Sequence, residues 1–202
     1  ISNSKNIPEI IKKSFEIAIN GRPGPVIISL PENILEIKSE FKPIKQIIKT
    51  EISPNIKKIN EVIKILKRSR KPMIIIGGGD WNNFGAKDLV HFANKNDIPF
   101  AVSFRRQSLV NNKNKNYIGD LSTSVDPNLT NTVKNSDLIL VVGARLGEMT
   151  TGGYTTIKVK EKNKIIHVYP DKKEIGKVFN PILGIHSNSN SFSKAIKYKK
   201  IK

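Results

Sequence analysis

The chain has 202 residues, 38% hydrophobic and 26% charged, and this composition excludes wholesale disorder because it can fill a packed core. The absence of cysteine excludes a disulfide scaffold, a thiolate metal site and a cysteine nucleophile. The net charge of +18 is spread along the chain without interleaved aromatic residues, which favours compositional bias over nucleic-acid binding. No apolar run reaches the roughly 18 residues of a membrane span, and no secretory leader is recognisable, so we expect a cytoplasmic protein that binds neither membrane nor nucleic acid.

The first 35 residues predict one helix–turn–strand unit. Apolar residues recur at helical spacing between residues 8 and 20, and Gly21 stands where a left-handed helix cap is expected. After a turn rich in glycine and proline, Val26 to Leu30 has the pattern of a short buried strand. This unit cannot bury its apolar faces alone, so residues 1–35 resemble the edge of a larger sheet, and the polar residues 36–53 form a linker.

Residues 54–202 alternate short β-branched runs with helical patterns. The predicted strands are 73–76, 99–102, 138–142, 164–169 and 182–185. Four helices are predicted: one that begins at Ser53-Pro54, one at 84–95, one at 127–134 and a closing helix around Phe192–Ile196. A helical turn is predicted at 172–177, and Asp120 is predicted to lie in a polar loop. Such alternation implies a parallel sheet with right-handed crossovers. We therefore predict the α/β class, with a Rossmann-like parallel sheet and flanking helices.

Two loops of this sheet are candidates for ligand contact, because ligands bind beyond the carboxyl ends of parallel strands. The segment Gly77–Gly79 follows the first strand, and its backbone could approach a phosphate or simply make a tight turn. The segment Ser103–Gln107 follows the next strand and contains two arginines, whose planar guanidinium groups suit anion recognition. A solvated loop is the alternative for the second segment.

Two further loops end later strands. The loop 143–154 starts with Gly143 at the end of a buried strand and carries Arg145. Asp171 follows the strand that contains His167, and its carboxylate could bind a ribose hydroxyl or cap the next turn. No hydrolytic constellation and no metal-ligand spacing is present, so the sequence predicts neither catalytic nor metal-binding residues.

Five segments carry a family resemblance: GRPGPVIISLP at residues 21–31 and the stretches 71–79, 137–145, 166–167 and 174–177. Together they resemble thiamine-diphosphate-dependent enzymes of the acetolactate synthase type. The first segment is similar to the end of the pyrimidine-binding domain of those enzymes, and the other four are similar in order and spacing to their central domain. The resemblance implies that residues 1–35 end the pyrimidine-binding domain and that 54–202 form the central Rossmann-like domain. It also implies a fragment of a homo-oligomeric, magnesium-dependent enzyme of 2-oxo acid decarboxylation and carboligation.

The resemblance implies a supporting role for this chain within such an enzyme. The activating glutamate of the family would precede Ile1, and the motif for magnesium and the diphosphate would follow Lys202, so the chain alone is expected to be inactive. In the family the central domain is mostly structural, and in some members it binds FAD or ADP. The nucleotide-site residues implied by position are Arg22, Gly78, Gly79, Ser103, Phe104, Gly143, Ala144, Arg145 and Asp171. The alternative function is a free-standing, non-catalytic module that binds ADP or FAD.

Overall fold

The computed structural model describes residues 1–41, 43–157 and 165–201. The chain divides into two compact units, Ile1–Thr50 and Glu51–Lys202. Within the described residues, no helix combines the length and the apolar character that a membrane crossing requires.

The N-terminal unit contains a 3-10 turn at Ser4–Asn6 and two helices. Helix α1 spans Ile7–Ile19, and the short helix α2 spans Glu32–Leu35. Proline in the first turn of α1 fits there because it has no N–H to leave unbonded. The positive φ of 58° at Gly21, just after the helix, is readily adopted by glycine. The predicted first helix is therefore confirmed.

The predicted buried strand at Val26 to Leu30 is wrong, because these residues form no strand in the structure. Residues 22–31 carry no strand, and the Ile27 side chain is 95% exposed. A strand needs a hydrogen-bonding neighbour and a core for its apolar face. Among the described residues of the N-terminal unit, no strand is present to supply that neighbour.

The second unit is built on six parallel strands, counted over the described residues. The strands are β1 (Pro72–Ile76), β2 (Phe100–Ser103), β3 (Tyr117–Leu121), β4 (Leu138–Val142), β5 (Ile165–Tyr169) and β6 (Leu183–His186). Their order in the sheet is β3-β2-β1-β4-β5-β6, and every neighbouring pair is parallel. The helices are α3 (Ile56–Arg68), α4 (Gly85–Lys95), α5 (Pro127–Asn135) and α6 (Ser189–Ile196), with 3-10 turns at Gln107–Leu109 and Met149–Thr151. The predicted fold class is confirmed; residue 164, the start of one predicted strand, lies outside the described residues.

Hydrophobic clusters cover both faces of this sheet. Alternate residues of β1 point to opposite sides, with Ile74 and Ile76 in one cluster and Met73 and Ile75 in the other. The first cluster includes side chains from α3, α4 and α6, and the second includes Leu129 and Val133 from α5. Burial on both faces explains why the central strands have continuous apolar sequences.

Three local predictions need correction. Helix α3 is capped by Asn55, whose side chain accepts from the Lys57 N–H at 2.8 Å, and not by Ser53-Pro54. The predicted polar loop at Asp120 is part of strand β3, and the Asp120 carboxylate accepts from the Gln107 side chain at 2.9 Å. Residues 172–177 form hydrogen-bonded turns without a helix.

Candidate functional site

The strand order reverses direction at β1 and β4, which are neighbours in the sheet. In α/β proteins, ligands bind beyond the carboxyl ends of the strands at such a switch point, and we refer to this place as the carboxyl-edge crevice. Eight of the nine predicted site residues follow or end four strands at this edge: Gly78, Gly79, Ser103, Phe104, Gly143, Ala144, Arg145 and Asp171. The ninth, Arg22, is exposed and belongs to the N-terminal unit.

Gly78 and Gly143 allow the loops after β1 and β4 to touch. Gly78 has φ of 77°, and a Cβ there would lie 1.8 Å from the Gly143 carbonyl oxygen. Gly143 has φ of 75°, and its Cβ would lie 2.4 Å from the Gly77 oxygen. No side chain fits at either position, so both glycines are explained by backbone contact between the two loops.

Ser103, the last residue of β2, packs against Gly77, next to the contact between the loops after β1 and β4. The buried Ser103 hydroxyl lies 2.0 Å from the position that a Gly77 Cβ would occupy. The Phe104 ring is covered by the neighbouring Arg105, whose guanidinium carbon lies 4.9 Å from the ring centre. Ser103 is thus part of the packing at the switch point, and Phe104 makes a cation–π contact beside it.

Gly79 differs from Gly78 and Gly143, because it is exposed and its backbone is not packed against another loop. The one atom that a Cβ there would meet within 4 Å is Nη2 of Arg106, at 3.7 Å. An accessible backbone beside a guanidinium group is favourable for an anion. Arg106 is absent from the nine predicted site residues, although the arginine pair after β2 was the signal that pointed to this loop.

Asp80 and Trp81 connect the loop after β1 to the start of α6. The Trp81 indole N–H donates to the Gly77 oxygen at 2.7 Å. The buried Asp80 carboxylate accepts from the Asn188 amide at 2.5 Å, and the Asp80 backbone oxygen accepts from Asn190 at 2.8 Å. These two residues were not predicted from the sequence, although Trp81 is the only tryptophan and Asp80 directly follows the glycines.

His167 supports the loop after β4 from inside the protein. Its Nε2 lies 2.9 Å from the Ala144 carbonyl oxygen, so the neutral ring donates that hydrogen bond. Burial lowers the pKa of His167, and this effect outweighs the opposing effects of the Ala144 hydrogen bond and the Glu174 charge. His167 therefore has a positioning role in the neutral form.

Arg145 and Asp171 each have a structural partner. The Arg145 guanidinium lies 3.8 Å from a Glu174 carboxylate oxygen and is 44% exposed, which leaves it accessible to a ligand. Glu174 also pairs with Lys177 at 3.2 Å. The Asp171 carboxylate accepts from the Lys173 N–H at 2.9 Å, as a turn cap does. A ribose contact by Asp171 stays a prediction.

A family model described as "Thiamine pyrophosphate enzyme, central domain" matches residues 59–196. The match runs from α3 to α6 and includes every strand of the sheet. The chain belongs to this family. The resemblance stated from the sequence motifs is thereby confirmed.

Relatives of this thiamine pyrophosphate enzyme central domain include large subunits of acetolactate synthase. The chain is 27% identical to the Haemophilus influenzae protein, over 93% of the chain and 34% of that protein. It is 29% identical to the Buchnera aphidicola protein, over 100% of the chain and 40% of that protein. It is 26% identical to the Corynebacterium glutamicum protein, over 91% of the chain and 30% of that protein. The chain thus spans 30–40% of the length of these curated relatives.

A solved structure supports the fold. Benzoylformate decarboxylase from Polynucleobacter necessarius aligns with a TM-score of 0.70 at 19% identity. The alignment covers 97% of this chain and 36% of that protein. At this identity the likeness supports the α/β architecture alone.

Within the described part of the central domain, the polar residues of the predicted site region fall into a buried and an accessible group. Over the described residues, no group of three or more His, Asp or Glu side chains could hold a metal ion. The buried His167 and Asp80 are held in internal hydrogen bonds, whereas Gly79, Arg106 and Arg145 lie where a ligand could reach them. Guanidinium and exposed backbone N–H groups are the donors that an anionic group such as a diphosphate prefers.

Proposed function

We propose that this chain supplies the central domain of a thiamine-diphosphate- and magnesium-dependent, acetolactate-synthase-like transferase. The observation that carries the proposal is the family match over residues 59–196, together with acetolactate synthase relatives along at least 91% of the chain. When bound in such an enzyme, thiamine diphosphate provides the electron sink for decarboxylation of a 2-oxo acid. The chain's own residues contribute the rigid sheet and its carboxyl-edge crevice.

We further propose that this crevice holds the diphosphate part of an adenine nucleotide, either ADP or the corresponding portion of FAD. The open backbone of Gly79, the nearby Arg106 and the half-exposed Arg145 support this placement. The neutral His167 keeps the backbone of the Gly143–Arg145 loop in place through the Ala144 carbonyl. Asp171, which follows β5 at the same edge of the sheet, completes the proposed site within the second unit.

Ligand titrations of the purified chain test the nucleotide site. FAD, ADP and magnesium–thiamine diphosphate are added separately, and the midpoint of thermal unfolding is followed. A ligand at about 100 times its dissociation constant adds about 2.7 kcal/mol to the free energy of unfolding. We expect a shift with ADP or FAD and none with magnesium–thiamine diphosphate.

An arginine pair provides the matched control for this titration. Arg106→Gln should reduce the shift, whereas Arg68→Gln, which removes the same charge from the exposed end of α3, should preserve it. If the wild-type chain unfolds cooperatively and no nucleotide shifts its midpoint, the proposed site is wrong. The family assignment is unaffected by that result.

A chimera tests the role in the enzyme. Residues 59–196 replace the matching segment of the Haemophilus influenzae relative, and acetolactate formation is measured beside the unaltered relative. We expect acetolactate formation, and light scattering should show a homo-oligomer, which we also propose for the cytoplasmic parent enzyme. A chimera that folds and retains thiamine diphosphate but forms no acetolactate would count against the proposed function.

A further inference from the structure

A cavity of about 660 Å³ opens at the amino-terminal edge of the sheet, where β1, β2 and β4 begin. This edge is opposite the carboxyl-edge crevice. The cavity is lined by the end of α3, the residues that precede three strands, and one face of α5. Its volume lies in the range of roughly 300–1,000 Å³ that is usual for small-molecule sites.

Three cationic side chains line this cavity: Lys67, Arg70 and Lys71. All three are exposed, and none has an acidic partner among the residues that the structure describes. The acidic Asp97, which also lines the cavity, is paired with Lys115 at 3.2 Å. The lining side chains therefore carry an excess of positive charge, beside the partly negative carboxyl ends of α3, α4 and α5.

The turn that carries two of these cations is held by Asp137. Its carboxylate accepts from the backbone N–H of Arg70 at 2.7 Å, from that of Lys71 at 3.0 Å, and from the Ser69 hydroxyl. Burial raises the pKa of Asp137, but these hydrogen bonds outweigh it, so the pKa lies below its ordinary value. An ionised Asp137 thus orders the turn at neutral pH.

Uncharged polar groups complete the lining. Helix α5 presents Asn128, Asn131, Thr132 and Asn135 to the cavity, at the spacing of one helical face. The asparagine amides can donate hydrogen bonds without adding charge, whereas the Thr132 hydroxyl donates to the Asn128 carbonyl at 2.8 Å. On another side, Asn96 accepts from the Ile201 N–H at 2.9 Å and donates to the Lys199 carbonyl at 3.1 Å, which attaches the last described residues to the wall.

We propose that this cavity binds a small oxyanion with several negative charges, such as a phosphate ester or a polycarboxylate. Three cations without an acidic partner in the described part of the chain, an ordered turn and neutral hydrogen-bond donors surround one cavity, which distinguishes it from the dispersed lysines elsewhere on the surface. The site is separate from the proposed nucleotide site. It would stand even if the crevice binds no nucleotide.

Calorimetric titration of the full chain tests this proposal with inorganic pyrophosphate and with citrate. Salt at about 0.15 M screens charges beyond roughly 8 Å and so suppresses non-specific attraction. We expect saturable binding of at least one probe at a single site. Binding of pyrophosphate alone would show that the site selects phosphate groups, and binding of citrate alone would show that it selects carboxylates. Binding of both would show that it recognises the negative oxygen atoms that the two probes share. No saturable binding of either probe overturns the proposal.

Two matched double variants locate the binding. Lys67→Gln with Lys71→Gln should weaken binding at least tenfold. Lys57→Gln with Lys64→Gln removes the same charge from α3 outside the lining and should change binding less than twofold. Unliganded thermal midpoints equal to that of the wild type show that both variants fold. Equal weakening by the two pairs would show non-specific electrostatic attraction and overturn the site.

Discussion

Replacing Gly78 with alanine should destabilise the second unit by about 2–5 kcal/mol. The new Cβ would lie 1.8 Å from the Gly143 carbonyl oxygen, which is backbone and cannot rotate away. A residue other than glycine at φ of 77° costs about 1–2 kcal/mol, and overpacking of a well-packed site costs about 1–3 kcal/mol more. The sum of these two contributions gives the expected loss.

Gly79→Ala is the matched control, because its Cβ would meet one arginine nitrogen at 3.7 Å. We expect it to change the free energy of unfolding by less than about 0.5 kcal/mol. Urea unfolding followed by the fluorescence of Trp81, the only tryptophan, measures both variants in the unit that contains the contact. Equal stabilities of the two variants, or a loss below about 1 kcal/mol for Gly78→Ala, would refute the argument from backbone contact.

Three further predictions concern charge, pH and packing. Asp137→Asn should lower the free energy of unfolding by only about 1 kcal/mol at pH 7, because solvent screening weakens the hydrogen bonds of this exposed carboxylate. In urea unfolding, the difference from wild type should shrink below about pH 4, because the unfolded carboxyl takes up a proton before the native one, and it should vanish once the native carboxyl is also protonated. Because the pKa of His167 is lowered in the native state, the unfolded state binds more protons below about pH 6.5, so acidification through that value should reduce stability. In urea unfolding between pH 7.5 and 5.5, the free energy of unfolding should depend less on pH in His167→Gln than in the wild type, whereas the exposed-site variant His91→Gln should match the wild type. Equal pH dependence in both variants would contradict this account. Phe92→Ala should lower the free energy of unfolding, measured in urea, by about 3–5 kcal/mol. Phe84→Ala should lower it by less than about 0.5 kcal/mol, because Phe84 is 73% exposed, and similar losses in the two variants would contradict the assigned core.

The sequence by itself determined the class of the fold and most of its central elements. Strands β1 and β4 could be predicted within one residue, because a parallel strand buried on both faces has a continuous apolar sequence. Helices α1, α4 and α5 were similarly clear from apolar residues at helical spacing. The GGG motif and the later central-domain stretches, in their order along the chain, also carried the part of the resemblance that the family match over residues 59–196 confirms.

Other elements could not be predicted, because they depend on partners elsewhere in the chain. Strand β3 includes Gly119 and Asp120 at the edge of the sheet, and it is recognisable only from its pairing with β2. Conversely, Val26 to Leu30 has a strand-like sequence but no strand pairing within the described residues. The local sequence pattern indicates the conformational preference of a segment, whereas formation of a paired strand also requires a neighbouring strand in the fold.

The candidate sites show the same division. The sequence placed the glycine and arginine loops at one edge of a sheet, from the rule for parallel strands. Only the tertiary structure decided that Gly78 meets Gly143, that Gly79 stays open beside Arg106, and that Asp137 orders the turn at Arg70. Each of these contacts joins segments about 30 to 70 residues apart, so it depends on which strands are neighbours. Strand order arises from packing of the whole unit, and no local stretch of sequence encodes it.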